Sequence, residues 1–203
     1  MPIIIKEYEQ RSAEWYAVRL GNPGASNISK IITSKGEISK QREEYLYQLA
    51  GEKITGKAEE GFISQAMLNG MEREDAARSL FSMIHNVEVD QCAIVFKDEY
   101  RLFHCSPDGL SPDATLEMKN PMLKTHVKYL LEGKLPVEYF GQCQMSAYVC
   151  ERAVCYFMSN YEGLPPLIIP VHRDESYIKK LAVALDDFCA DLARIVEKLR
   201  SMQ

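Results

Sequence analysis

Hydrophobic and polar residues in the first part of the chain follow helical spacing. The segment AEWYAVR comes after Ser12, which favours a helix N-cap, and before Gly21, which favours a helix C-terminus. A short helix is therefore predicted from Ser12 to Arg19. Three more helices are predicted, over about residues 26–33, 40–53 and 60–85.

The pattern becomes strand-like after residue 85. The segments VEVDQCAIVFKDE, YRLFHC and ATLEMK are short, β-rich and bounded by turns, which predicts an antiparallel meander. Two helices are predicted next, near residues 124–133 and 136–150, and then the strands AVCYFMSN and LIIPVH. Asp174 is predicted to cap a last amphipathic helix that continues almost to Gln203.

This order of elements predicts a mixed β-sheet flanked by helices, in one α/β or α+β domain over residues 1–203. A hydrophobic fraction of 46% and a charged fraction of 26% are typical of a soluble globular protein. No apolar run approaches the roughly 20 residues that span a bilayer, and the start MPIIIKEYEQRS lacks the pattern of a secretory signal. We therefore expect an intracellular protein that does not contact membranes.

The cysteines and the net charge narrow the candidate chemistry. Six cysteines occur without any C-x-x-C pair, which argues against a zinc or iron–sulfur site and predicts reduced, mostly buried thiols. The net charge of −5 gives no global argument for nucleic-acid binding. Any such binding must depend on a local basic patch.

The segment CSPDGLSPDATLEMKNP, residues 105–121, carries two acids and a lysine around a turn. Alternate side chains of a strand share a face, so Glu117 and Lys119 should point the same way, and the turn can bring Asp108 alongside them. Carboxylates suit Mg²⁺, and one or two such ions activate water and neutralise charge on a transferring phosphate. The pattern indicates phosphodiester hydrolysis, although spacing alone leaves open an exposed hairpin with a cross-strand salt bridge.

A further acid interrupts an apolar stripe of the predicted long helix. The stripe consists of Met67, Gly70, Glu74, Ala77, Phe81 and Ile84. A carboxylate in such a stripe must be paired or bound to a cation, so Glu74 either forms an ion pair, with Arg78 or another arginine, or binds a metal. Asp98, in the turn KDEY, is another candidate for the same cluster.

Five sequence blocks occur in an order that resembles a known family. The blocks are Trp15-x3-Arg19-x6-Ser26, GMEREDAARSLF (70–81), DEYRLFHCSPDGL (98–110), LEMKNP (116–121) and YFGQCQMSAYV (139–149). They resemble the lambda-exonuclease and YqaJ-type viral recombinases, which belong to the PD-(D/E)xK nuclease superfamily. The resemblance implies the restriction-endonuclease-like core of that superfamily.

The resemblance implies a metal site and a catalytic lysine. Asp108, Glu117, the Met118 backbone carbonyl and Glu74 would bind one or two Mg²⁺ ions, or Mn²⁺ in their place. Lys119 would act on the nucleophilic water. All the acidic residues and the lysine of this set are present, which argues against a non-catalytic DNA-end-binding protein.

The resemblance also implies a pocket for the 5′-phosphate of a DNA end. Its residues would be Arg19, Ser26, Ser106 and Gln142. Arginine suits such a pocket because its planar fork binds two phosphate oxygens. Trp15, one helical turn before Arg19, is expected to pack in the core, and Met67 is a candidate for a wedge that separates the strands.

The sequence does not decide which of two glutamines belongs to the phosphate pocket. Gln142 shares a helical face with Tyr139, whereas Gln144 shares another face with Tyr148. The order of the blocks favours Gln142, but related nucleases use a Q-x3-Y motif, which would select Gln144.

The activity that the resemblance implies is a Mg²⁺-dependent 5′→3′ exonuclease. It would digest one strand of double-stranded DNA from a 5′-phosphorylated end and leave a 3′ single strand for recombination by annealing. A ring-shaped homotrimer, a single-strand annealing protein as partner, a phage or prophage gene and the cytoplasm of a bacterial host are the accompanying expectations. The alternatives are an endonuclease or repair nuclease of another polarity and a non-catalytic DNA-end-binding protein.

Overall fold

A computed structural model describes residues 1–58 and 73–202 of the chain. The helices in these ranges are α1 (Ala13–Arg19), a 3₁₀ helix (Ala25–Lys30), α2 (Arg42–Thr55), α3 (Glu74–His85), α4 (Leu123–Glu132), α5 (Val137–Val149) and α6 (Glu175–Arg200). The strands are β1 (Ile3–Ile5), β2 (Ile94–Phe96), β3 (His104–Cys105), β4 (Gly109–Leu110), β5 (Ala114–Lys119), β6 (Val154–Ser159) and β7 (Leu167–His172).

The described strands form two sheets with the orders β1-β2-β3 and β4-β5-β6-β7. The pair β5–β6 is parallel, and every other strand pair in the two sheets is antiparallel. The second sheet is therefore mixed, and helices pack against it, so the predicted α+β class is confirmed.

The predicted continuous meander is wrong, because the chain changes sheets between β3 and β4. Pro107 lies at this crossing and has no N–H to donate to a strand ladder. Directly after it, the Asp108 amide donates to the Leu116 carbonyl at 2.9 Å and joins the chain to the second sheet. The crossing places Ser106 beside the first sheet and Asp108 beside the second.

Both predicted helix caps are present. The Ser12 hydroxyl accepts a hydrogen bond from the Trp15 amide at 3.2 Å, and the Asp174 carboxylate accepts one from the Tyr177 amide at 3.0 Å. The helix predicted over residues 26–33 is instead the shorter 3₁₀ helix. Only the end of the helix predicted over residues 60–85 lies in the described ranges, as α3, so Met67 and Gly70 lie outside them.

Strand β5 separates an apolar layer from the candidate site. Leu116 and Met118 pack with Ala77 and Phe81 of α3 in a buried cluster, which places the N-terminus of α3 near β5. The six cysteines are buried and free, as predicted. Within residues 1–58 and 73–202, no helix is long and apolar enough to cross a membrane.

Candidate active site

A cavity of about 190 Å³ gathers most of the residues that the sequence singled out. It is lined by Gln10, Arg11, Trp15, Arg19, Ala25, Ser26, Glu74, His104, Ser106, Asp108, Glu117, Met118, Lys119 and Gln142. These residues come from α1, the 3₁₀ helix, α3, α5 and both sheets. The site therefore depends on packing between elements that are far apart in the sequence.

Asp108 is held against β5 by two hydrogen bonds. Its amide donates to the Leu116 carbonyl, and its Oδ2 accepts a hydrogen bond from the Met118 amide at 2.6 Å. These two bonds fix the carboxylate beside Glu117, as strand alternation and the turn predicted.

Glu117 and Lys119 lie on the same face of β5 and form an ion pair. The Glu117 side chain is only 3% exposed and that of Lys119 is 28% exposed. The alternative of an exposed hairpin with a surface salt bridge is therefore wrong. The Lys119 Nζ also lies 5.2 Å from the centre of the Tyr139 ring, within cation–π distance.

Burial and like charges raise the pKa of Asp108 to about 7. Burial is the largest cause, followed by the Glu117 carboxylate, and Glu74 adds a smaller effect in the same direction. Burial would lower the pKa of Lys119, but the Glu117 and Asp108 carboxylates outweigh burial and raise that pKa above its ordinary value. The lysine is therefore a cation at neutral pH.

Glu74, the first residue of α3, forms an ion pair with Arg11 (Oε1 to Nη2, 2.5 Å). The partner suggested from the sequence, Arg78, instead pairs with Asp75 and donates its Nε to the Asp108 carbonyl at 2.7 Å. Glu74 therefore has an arginine partner and also lines the cavity beside Asp108. Sequence reasoning missed Arg11, because no local pattern connects it to a residue 63 positions away.

Arg19 projects into the cavity along the face of Trp15, with its Cζ 3.7 Å from the centre of the indole ring. Burial lowers the pKa of the Arg19 guanidinium to about 10, so it remains a cation at neutral pH. No carboxylate of the described residues lies within ion-pair distance of Arg19. A half-buried cation of this kind favours an anionic ligand.

Trp15 packs in the core, as expected, and also holds the site together. Its side chain is 8% exposed, and its indole Nε1 donates to the Ala93 carbonyl at 2.8 Å and to the Ser106 Oγ at 3.1 Å. The Ser106 hydroxyl in turn donates to the same carbonyl at 2.7 Å. Trp15 therefore sets the position of both Arg19 and Ser106.

The structure separates the two candidate glutamines. Gln142 lines the cavity, whereas Gln144 is 1% exposed and lies elsewhere. The Gln144 amide donates to the His172 carbonyl at 2.8 Å and accepts from the Asp174 amide at 2.9 Å. Gln144 thus connects α5 to the start of α6, and the structure does not bring it to the cavity.

Asp98 is also not brought to the cavity. Its carboxylate accepts a hydrogen bond from the Tyr100 amide at 3.0 Å in the turn after β2, and it does not line the cavity. Met67, the candidate wedge, lies outside the described residues.

His104 is a cavity residue that the sequence did not reveal. It is 1% exposed, and burial, assisted by the nearby Arg19 charge, lowers its pKa to about 3, so the imidazole is neutral. A Cβ at Gly24 would lie 2.7 Å from the His104 ring, so only glycine fits beside it. This contact packs the segment before the 3₁₀ helix, and hence Ser26, against β3.

The donor set fits Mg²⁺, which takes carboxylate and carbonyl oxygens and keeps several waters. Among the described residues, no three acidic, histidine or cysteine side chains form a group that could hold a metal ion. Mg²⁺ needs only one or two carboxylates beside a phosphate. Burial is the largest cause of the raised pKa of Asp108, and repulsion by the Glu117 and Glu74 carboxylates adds to it, so a bound cation would relieve that repulsion.

Known proteins resemble this chain in sequence and in fold. The model of the YqaJ-like viral recombinase domain matches residues 14–153. The alkaline exonuclease LHK-Exo of Laribacter hongkongensis is 28% identical, with a TM-score of 0.85 over 94% of this chain and 97% of that chain. A second structure of LHK-Exo, in complex with dAMP, gives the same 28% identity and a TM-score of 0.84 over the same shares of the two chains.

A phage-related exonuclease of Haemophilus somnus 129PT shares the fold at 12% identity, with a TM-score of 0.70 over 88% of this chain and 96% of that chain. None of the curated proteins compared with the chain matches it in sequence.

Proposed function

The chain belongs to the YqaJ-like viral recombinase family, and on that basis we propose that it is a Mg²⁺-dependent 5′→3′ exonuclease of double-stranded DNA. Its fold is of the PD-(D/E)xK type, and it is a nuclease with DNA as its substrate. The polarity, the metal requirement and the preference for a 5′-phosphorylated end are the new elements of the proposal.

The observation that carries the proposal is the composition of the cavity. Asp108, Glu117 and Lys119 line it together with Ser26, Gln142 and Arg19, whose guanidinium pairs with no carboxylate of residues 1–58 and 73–202. A terminal phosphate bound by Arg19 would hold the DNA end against the acidic cluster. Arginine suits this role because its fork donates two parallel hydrogen bonds to phosphate oxygens.

The catalytic roles follow from charge and position. When bound, Mg²⁺ supplies an activated water and neutralises charge on the transferring phosphate. Asp108 and Glu117 would hold the ion, with the Met118 carbonyl and Glu74 as further ligands. The raised pKa of Lys119 keeps its ammonium charged, so this side chain orients the nucleophile and stabilises the charge that develops on phosphate.

The biological role that we propose rests on the family resemblance. Removal of one strand would expose a 3′ single strand for a single-strand annealing protein encoded by the same phage or prophage. The enzyme would act in the cytoplasm of the bacterial host as a ring-shaped homotrimer. Such a ring forms when heterologous contacts close on themselves.

A cleavage assay tests the proposal. Linear duplexes with 5′-phosphate or 5′-hydroxyl ends are incubated with and without Mg²⁺, together with closed circular DNA. We expect Mg²⁺-dependent loss of the 5′-phosphorylated strand and no cutting of circles. Cutting of circles would favour an endonuclease, and DNA-end binding without any cleavage would favour a non-catalytic binding protein.

A further inference from the structure

Arg11 occupies an unusual backbone conformation at the edge of the cavity. Its φ is +72°, in the left-handed region that residues other than glycine rarely adopt. From this position, just before the Ser12 cap of α1, its guanidinium reaches Glu74 at 2.5 Å. Arginine occupies a backbone conformation that favours glycine and pairs with a carboxylate of the cavity. These two features together indicate that Arg11 has a role in the site.

Two cations near the pair have partners of their own. Arg78 is engaged by Asp75 and by the Asp108 carbonyl, and Lys119 is engaged by Glu117. Arg11 is therefore the cation that faces Glu74 among the described residues. The side chains of Arg11 and Glu74 are 33% and 17% exposed, so water screens their attraction less than it screens a pair on the open surface.

The Glu74 carboxylate divides its negative charge between any two cations that bind it. Its Oε1 accepts the guanidinium hydrogen bond, so a divalent ion would meet a carboxylate whose charge is already partly neutralised. An ion that binds Glu74 weakens the Arg11 pair, and the free energy that the pair loses is subtracted from the free energy of metal binding. Arg11 would thus weaken metal binding while it keeps the acidic cluster neutralised.

We propose that Arg11 is a counterion that sets the affinity of the site for its divalent metal by competing with the metal for the negative charge of Glu74. This inference rests on the proposed function, since it takes Glu74 as a metal ligand. It adds a residue that acts on the metal site through Glu74 and that is a positioning residue, not a ligand.

The test is direct titration of the DNA-free 203-residue chain with Mn²⁺, followed by electron paramagnetic resonance or calorimetry. Arg11→Gly should bind Mn²⁺ about 3- to 10-fold more tightly than the wild type, in line with the strength of a partly buried ion pair. Arg11→Lys, which keeps the charge but loses the planar fork, should have an intermediate affinity. Glycine suits a φ of +72°, so Arg11→Gly should fold, and its thermal unfolding checks this.

Two controls separate competition for Glu74 from a change in net charge. Arg194→Gln removes one positive charge from the exposed face of α6, away from the cavity, and should leave Mn²⁺ affinity unchanged. In a Glu74→Gln background, Arg11→Gly should no longer tighten Mn²⁺ binding. Unchanged or weaker binding by Arg11→Gly, or a gain that persists in the Glu74→Gln background, would overturn the inference.

Failure of this inference and failure of the proposed function give different results. If the wild type binds Mn²⁺ and cleaves DNA while Arg11→Gly has wild-type affinity, only the role of Arg11 is lost. If the wild type neither binds Mn²⁺ nor shows metal-dependent cleavage, both proposals are wrong.

Discussion

The Asp108 carboxylate accepts a hydrogen bond from the Met118 backbone amide, ten residues later, at 2.6 Å. This bond fixes a buried acid against the strand that carries Glu117 and Lys119. Because burial and the Glu117 charge raise the pKa of Asp108 to about 7, the carboxylate is poised to change its charge near neutral pH. The first two predictions follow from this relationship.

Asp108→Asn should stabilise the protein at alkaline pH and abolish cleavage. The folded protein raises the pKa of Asp108 from 3.8 to about 7, so the native state binds more protons than the unfolded state between those values. The wild type should therefore lose stability as pH rises from about 4 to about 7 because of this group. The asparagine oxygen can still accept the Met118 hydrogen bond but carries no charge.

Thermal unfolding of both proteins at pH 5 and pH 8 measures this effect. The melting temperature of Asp108→Asn should exceed that of the wild type, and this difference should be larger at pH 8 than at pH 5. An equal difference at the two pH values would show that Asp108 does not titrate as stated.

Metal binding should weaken as pH falls below about 7. Only the ionised Asp108 carboxylate attracts a divalent cation. At a pH equal to its pKa of about 7, half of the protein molecules have this carboxylate protonated. Calorimetric titration with Mg²⁺ from pH 5.5 to 8.5 should show an affinity that rises with pH and a release of protons on binding at the lower values. A flat profile across this range would contradict the prediction.

Lys119→Ala should reduce the rate of cleavage by about 10²-fold or more while leaving the affinity for DNA ends within about threefold. The ammonium acts at the reacting phosphate, whereas Arg19 would hold the end. Lys128→Ala removes a lysine of α4 that is 67% exposed, and it serves as the charge-matched control with wild-type activity. Rates come from single-turnover digestion and affinities from fluorescence anisotropy, and a parallel loss of binding would refute this role of Lys119.

Arg19→Lys should reduce the preference for 5′-phosphorylated over 5′-hydroxyl ends by about 10-fold or more, because lysine keeps the charge but not the bidentate fork. The ratio of digestion rates on the two ends measures this directly. Arg42→Lys is the matched control, since Arg42 pairs with Asp191 and does not line the cavity. An unchanged ratio in Arg19→Lys would place the 5′-phosphate elsewhere.

Local sequence pattern predicted much of the fold. The bounds of β5 match the segment ATLEMK, and the caps at Ser12 and Asp174 have the predicted hydrogen bonds. Strand β1 was missed because a run of three isoleucines is ambiguous until β2, some 90 residues later, pairs with it. The division into two sheets was missed for the same reason, since partner choice depends on long-range packing.

The candidate site likewise contains residues that the sequence predicted and residues that it did not. Strand alternation placed Glu117 and Lys119 together, and the family resemblance placed Arg19 and Gln142. Arg11 and His104 could not be found in this way, because the first reaches Glu74 across 63 residues and the second is defined by burial against Gly24. Contacts that only the folded chain creates leave no local spacing to detect.

Gln142→Ala should change the digestion rate, whereas Gln144→Ala should change the stability of the fold. Gln142 lines the cavity, so its loss should lower the digestion rate on 5′-phosphorylated ends with little change in melting temperature. Gln144→Ala would remove the two partly buried hydrogen bonds to the His172 carbonyl and from the Asp174 amide, each worth about 0.5–1.5 kcal/mol, together with the packing of a side chain that is 1% exposed. It should therefore lower the melting temperature by several degrees while its rate per folded molecule stays near that of the wild type. If Gln144→Ala lost activity without losing stability, the glutamine at the site would be Gln144, and the assignment from the cavity would be wrong.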